Sequence, residues 1–343
     1  MRLTLAPWGA SIRELVEVSA RAEQAGAEAV WVPELHRSST VPLAALAAGT
    51  STVTLGTAIS LAFVRSPMVT ALEALDLDEI SDGRLVLGLG TGVQRLNELW
   101  HNARWGKPVA HLRETVRDVR HFVRCADTGE DIDLPGEFEP MRISHYQRPF
   151  PPRRREIPIY LASTGPAMTR LTGEVGDGWI AHELGSPGYL EQLILPNLLA
   201  GAEKAGRGRA DLDVVASACC VPWHDGRQAR RWAAGLVAFY ATVRTYEPFF
   251  EFHGFLEQAR NCQAAFRAGD ERALVDAVPD EMVDALTLAG TPDEVRERLA
   301  RYDGLADAIK LSPPTHYVGD EVTRAVQEQL VEMVAAARPV AAR

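Results

Sequence analysis

Cysteine is sparse in this chain and carries no pattern. The four cysteines, Cys125, Cys219, Cys220 and Cys262, include no CxxC pair, and the adjacent two lie in an apolar run. Such thiols read as buried and reduced rather than as a disulfide framework. The nine histidines show no HExxH or comparable ligand spacing, so no metal is expected. No run of about 20 apolar residues occurs, so no membrane-spanning helix is expected. The opening MRLTLAPWGAS lacks the apolar core and cleavage site of a secretory leader. An excess of basic residues is missing too: 36 Lys and Arg against 46 Asp and Glu give a net charge of −10. Nucleic-acid phosphates call for a basic surface, so nucleic acid is not an expected partner. These absences leave the expectation of a cytoplasmic protein that acts on a small molecule, without membrane or nucleic acid.

What is present is ordinary globular composition, 46% hydrophobic and 24% charged, over 343 residues. A chain of this length buries a large core without staples. Short apolar runs alternate with amphipathic segments along it. Strands are expected at residues 3–6, 29–33, 53–60, 84–89, 157–161, 179–182, 214–221 and 308–311. Helices are expected at 11–25, 42–49, 109–124, 166–175, 189–205 and 226–244, with another opening at Ser66-Pro67 and one at the C-terminal end. Thr291-Pro-Asp-Glu294 is a capping box with proline at the first helical position. Eight strands alternating with helices indicate the α/β class: a (β/α)8 TIM barrel forming one domain over 1–343. An open doubly wound sheet is the rival. Two excursions interrupt the alternation. Residues 127–152, after strand four, are rich in Gly, Pro and charge and suggest a hairpin. Residues 246–290, after strand seven, read as mostly helical.

In a parallel α/β barrel, chemistry belongs to the C-terminal ends of the strands. Glu34 and His36 follow strand two, where a carboxylate and an imidazole serve a ring nitrogen or proton transfer. Strand four ends in LGLGTG, with Gly90, Thr91 and Gly92 at its tip. The spacing is GxGxG rather than GxGxxG, and it is fourth in order rather than first, so a dinucleotide fingerprint does not fit. A glycine turn that lets a flat ring approach the backbone fits better. Ser163, Thr164 and Gly165 follow strand five and open a helix, a place suited to phosphate, with ordinary N-capping as the alternative. Arg65, Arg95, Arg104 and Lys107 are placed to meet an anionic ligand. Arg148 and Arg153–Arg155 precede strand five and read as a solvated loop at the opposite face.

Four segments in order, LGTAISLAFVRSP (55–67), LDEISDGRLVLGLGTG (77–92), YLASTGPAMTRLTGEVGDGW (160–179) and AGTPDEVRERL (289–299), resemble the luciferase-like monooxygenase superfamily. The resemblance is closest to its deazaflavin branch, which uses coenzyme F420. It implies a TIM barrel and a ring at the mouth of the strands. It places the coenzyme's phosphate at Ser163–Gly165 and a non-proline cis peptide at Ala58–Ile59 behind the ring. It also implies a homodimer and hydride transfer between the ring and a small organic substrate. Relatives that oxidise sugar phosphates carry an Asp-His pair after strand two and a Glu after the GTG turn. Here those places hold Glu34-Leu35-His36 and Val93, so the relatives' proton-transfer roles do not carry over. An FMN-dependent, oxygen-using monooxygenase and a coenzyme-binding protein without turnover are the alternatives.

Overall fold

Serine and proline set where the helices begin. Ser66 accepts from the backbone N–H of Val69 and Pro67 occupies the first turn, so the helix Pro67–Ile80 opens where the sequence places it. At Thr291 the hydroxyl accepts from Glu294 N–H while the Glu294 carboxylate accepts from Thr291 N–H, and the helix Pro292–Leu299 follows. The computed structural model describes residues 1–337. Its chain falls into two compact units, residues 1–28, 181–193 and 214–343 in the first and residues 29–180 and 194–213 in the second.

The second unit holds parallel strands Ala29–Val32, Thr54–Thr57, Leu85–Gly90, Ile159–Ala162 and Gly178–Ile180, neighbours in that order. Every residue of Leu85–Gly90 is buried, as expected of a strand covered on both faces. Glycine is required at Gly88. A Cβ there would lie 3.0 Å from the Thr57 carbonyl carbon and far inside contact with its oxygen. The gap Gly88 leaves is used by Thr57, whose hydroxyl donates to Gly88 O (2.7 Å) and accepts from Gly88 N–H (2.8 Å). The helices Thr40–Gly49, Pro67–Ile80, Pro108–Cys125, Pro166–Val175 and Leu195–Lys204 accompany these strands. The expected hairpin in 127–152 is present as antiparallel Ile132–Leu134 and Met141–Ile143.

The first unit holds parallel strands Leu288–Gly290, Asp213–Pro222 (from Val214 on), Ala308–Ser312 and Arg2–Leu5, again neighbours in that order. Ser11 caps the helix Ile12–Ala25 and left-handed Gly26 ends it. The excursion at 246–290 supplies four helices, Glu247–Phe252, Leu256–Ala268, Glu271–Asp276 and Asp280–Leu286.

Three expectations need correction. Strand three does not run unbroken over 53–60: it stops at Thr57 and resumes as Ser60–Leu61, paired to Leu85–Gly90. The excursion at 246–290 ends in a strand, because Leu288–Gly290 pairs with Cys220–Pro222. Of the arginines ahead of strand five, Arg153 and Arg155 are exposed, as in a solvated loop, whereas Arg148 and Arg154 are not. Arg148 is buried, pairs with Asp76 (3.0 Å) and Glu79 (3.2 Å), and lies over the Phe150 ring. Arg154 binds fully buried Asp78 and the Leu85 carbonyl (2.7 Å), so two of the four arginines are held by carboxylates of the helix Pro67–Ile80, while Arg153 pairs with Asp82 and Arg155 with Asp127.

Candidate active site

The break in strand three is held from both sides. The Ala58–Ile59 peptide is cis, the bond the resemblance points to. Ala58 N–H donates to Val32 O (2.9 Å), and Glu34 N–H donates to Ile59 O (3.2 Å). The Glu34 carboxylate then reaches over the turn and accepts from Leu61 N–H at 2.8 Å. On the other side, Ala62 N–H donates to Gly90 O (2.9 Å). The hydroxyls of Ser39 and Ser60 meet at 2.5 Å. The ends of strands two, three and four are thereby tied into one patch.

Glu34 is fully engaged within it. Its carboxylate takes a two-pronged guanidinium from Arg65, one prong at 2.9 Å, and only 8% of the side chain is exposed. Arg65 also reaches Glu73 at 3.3 Å. The hydrogen bond from Glu34 holds the Arg65 guanidinium above its ordinary pKa, against the opposing effect of burial. Burial raises the Glu73 carboxyl, partly offset by Arg65. Arg65 is therefore spent on two carboxylates and does not await an anionic ligand, as the sequence reading expected. Lys107 is likewise paired, with Glu137 at 3.2 Å, and Arg104 lies over Phe138. His36 is exposed and, among the described residues, meets none of the groups that hold Glu34.

The GTG tip is pinned by a side chain from the segment that follows it. The helix Gln94–Trp100, absent from the expected elements, carries Asn97. Its amide donates to Thr91 O (2.7 Å) and Val93 O (3.0 Å), and its buried Oδ1 has no partner among the described residues. Gly92 sits at φ +63°, a left-handed conformation that suits glycine. Gly90 packs so closely that a Cβ would lie 2.8 Å from Ile59 Cγ1 and 3.4 Å from Ala162 Cβ. Gly90 therefore brings together the ends of strands three, four and five. An Asn four residues into a short polar helix was the available signal, but periodicity is mute over seven residues.

The turn after strand five divides its labour. Ser163 is buried, its hydroxyl accepting from Thr172 (3.2 Å) and its carbonyl from the Trp179 indole (3.0 Å). It faces the protein body and not solvent. Thr164 and Gly165 are exposed. Gly165 is the N-cap of Pro166–Val175, offers no side chain to the first turn, and has nothing within 4 Å of where a Cβ would stand. The N–H groups of Ala167 and Met168 have no partner within the helix, so the positive end of the dipole opens on free space. A helix start of this kind is suited to an anion. Among the described residues no group of three or more metal-ligating side chains occurs, and no helix is long and apolar enough to cross a membrane.

Comparison with known proteins bears on the family and the fold. The family model of luciferase-like monooxygenases matches residues 2–308. An uncharacterized protein of Mycobacterium bovis is 31% identical over 295 residues, covering 84% of this chain and 86% of its own. The 5,10-methylenetetrahydromethanopterin reductase of Methanolobus tindarius is 30% identical over 282 residues, 81% of this chain and 83% of the relative. Among solved structures, the coenzyme F420-dependent tetrahydromethanopterin reductase of Methanopyrus kandleri superposes with a TM-score of 0.82 at 22% identity, covering 97% of this chain and 96% of that one. The fold class is therefore α/β, a (β/α)8 TIM barrel. The chain belongs to the luciferase-like monooxygenase family.

Proposed function

We propose that this luciferase-like barrel is a coenzyme F420-dependent oxidoreductase, moving a hydride between the deazaflavin ring and a small organic substrate. The observation that carries the reading is the uncapped, unobstructed N-terminus at Gly165, beside a glycine tip tied to strands three and five. The relatives support the choice of coenzyme, since the Methanopyrus kandleri protein is named for coenzyme F420.

The residues fit such a group. Ala167 and Met168 N–H, with Thr164 and Gly165 beside them, hold its phosphate. Gly90, Thr91 and Gly92 and the Ala58–Ile59 turn receive the ring. When bound, the coenzyme supplies a ring carbon that gives or takes a hydride. Glu34 is a positioning residue: through Arg65 and Leu61 N–H it fixes the turn behind the ring. His36, exposed at the same strand end, is the group free to exchange a proton with solvent.

Titration with the deazaflavin coenzyme and separately with FMN, followed by tryptophan fluorescence, tests this. Saturable deazaflavin binding with weak FMN binding is expected. Preference for FMN, with oxygen uptake by reduced FMN, would replace the reading with a monooxygenase. Tight deazaflavin binding without reduction by any donor would leave a binding protein without turnover.

A further inference from the structure

The second unit carries a cavity that the coenzyme reading does not use. It holds about 650 Å³ and lies at the N-terminal ends of the strands. Glu156, Ile157 and Pro158 line it and lead into Ile159–Ala162, and Asp177 leads into Gly178–Ile180. The Ser163–Gly165 turn follows Ile159–Ala162, so the cavity and the coenzyme's helix start stand at opposite ends of one strand. Leu87 and Ile159 are registered partners on neighbouring strands and present their side chains to one face of the sheet. Val119 and Val123, one turn apart on the helix Pro108–Cys125, line the cavity with them. The volume is that of a small-molecule site, for which ~300–1,000 Å³ is usual.

Four arginines reach the cavity, and carboxylates hold three of them. Arg120 donates to Asp177 (2.6 Å), Arg155 grips Asp127 by two prongs (2.7 and 2.8 Å), and Arg124 reaches Glu156 (3.2 Å). Arg207 is held otherwise. It donates to the carbonyls of Gly173 (3.3 Å), Gly176 (2.7 Å) and Asp211 (2.7 Å), and among the described residues it makes no ion pair within 4 Å. A guanidinium is always charged in a protein and carries five N–H donors. These three bonds use both donors of Nη1 and one of Nη2. Nε and the second Nη2 donor remain, and those two atoms form a fork that fits a carboxylate. One acidic group at the cavity also lacks a cation: exposed Asp211, whose carboxylate accepts Gly208 N–H (2.8 Å). Its charge is offset at Glu174, which two cations, Arg113 and Lys204, hold down at about 2. The unmatched charge is thus positive and sits on half-buried Arg207. An inorganic anion would leave the apolar walls facing water, whereas a carboxylate with a hydrocarbon frame covers them.

We propose that this cavity binds a small organic carboxylate, its oxygens on Nε and Nη2 of Arg207 and its carbon frame against Val123, Ile157 and Pro158. The site is separate from the coenzyme reading, since none of the residues assigned to the coenzyme lines it.

The test omits the coenzyme. Binding of 2-naphthoate, 2-naphthalenemethanol and 2-naphthylmethylammonium to the full chain is followed by saturation-transfer NMR, alongside Arg207→Met, Ala205→Trp and Gly165→Asp. Ala205 lines the cavity and is exposed, so a tryptophan there fills the mouth and leaves the Arg207 side chain in the protein. Saturable naphthoate binding is expected, about tenfold or more tighter than that of the alcohol or the ammonium. Arg207→Met and Ala205→Trp should each weaken it about tenfold or more, and Gly165→Asp should leave it unchanged. No saturable naphthoate binding, equal or tighter binding of the alcohol or the ammonium, or unchanged naphthoate binding by either cavity variant would each overturn the proposal. Loss of naphthoate binding in Gly165→Asp would move the anion to the coenzyme's helix start and overturn it as well. Should Arg207→Met fail to fold, Ala205→Trp decides in its place, since it alters only an exposed position at the end of a helix.

Discussion

Glu34→Gln separates positioning from proton transfer at the one carboxylate that the sequence marks for catalysis. The substitution keeps the shape of the side chain and one acceptor oxygen for Leu61 N–H, but removes the charge that Arg65 grips. Both partners are largely shielded, at 8% and 15% exposure. Removing one member of a shielded pair costs about 3–5 kcal/mol when the survivor is stranded. Here Arg65 keeps Glu73 and the new amide keeps an oxygen, so a loss of about 2–3 kcal/mol is expected in urea unfolding at pH 7. Because the clamp holds the 58–62 turn, coenzyme affinity should fall about tenfold in the same variant, while the pH profile of turnover keeps its shape. A double-mutant cycle with Arg65→Met should return a coupling above roughly 1 kcal/mol, as for residues in direct contact. Wild-type stability and coenzyme affinity together with abolished turnover would refute the clamp and make Glu34 a proton-transfer group.

Three further outcomes follow from the geometry. Gly165→Asp should stabilise the helix Pro166–Val175 by a few tenths to about 1 kcal/mol, since Asp caps an N-terminus that Gly leaves bare. The same carboxylate should cost at least tenfold in deazaflavin affinity; a calorimetric titration showing unchanged affinity would place the phosphate elsewhere. Gly88→Ala should destabilise by about 3–5 kcal/mol in denaturant, because the clash is with the Thr57 backbone and the two Thr57–Gly88 hydrogen bonds go with it. Arg113 and Lys204 hold the Glu174 carboxyl down at about 2, below its ordinary 4.5. Its contribution is therefore complete above about pH 4.5 and disappears as pH falls toward 2. Glu174→Gln should cost on the order of 1–2 kcal/mol at pH 7, after solvent screening, and nothing near pH 2, as read from unfolding curves at both pH values.

The elements that the sequence announces are those fixed by local chemistry. Caps at Ser66 and Thr291, a glycine stop at Gly26 and runs of buried-strand residues need no knowledge of distant neighbours. What escaped depends on partners far along the chain. Arg65 looked available because nothing local reveals that Glu34, 31 residues earlier, already holds it. Ser163 and Thr164 are chemically alike, and only packing turns the first toward Thr172 and leaves the second exposed. Leu288–Gly290 is too short for period-two alternation to register, and becomes a strand because Cys220–Pro222 offers an edge.

The excursion after strand four is closed at its base: Arg148 N–H donates to Ala126 O at 2.6 Å, so the chain leaves and returns at nearly the same point. Its contents are fastened to one helix, where the Glu114 carboxylate accepts the N–H groups of Glu137, Phe138 and Glu139. An insert whose ends already touch can change length at little thermodynamic expense, since doubling a loop costs only about 0.6 kcal/mol of closure entropy. A change in the number of residues between Ala126 and Arg148 therefore need not move the two points at which the segment leaves and rejoins the body.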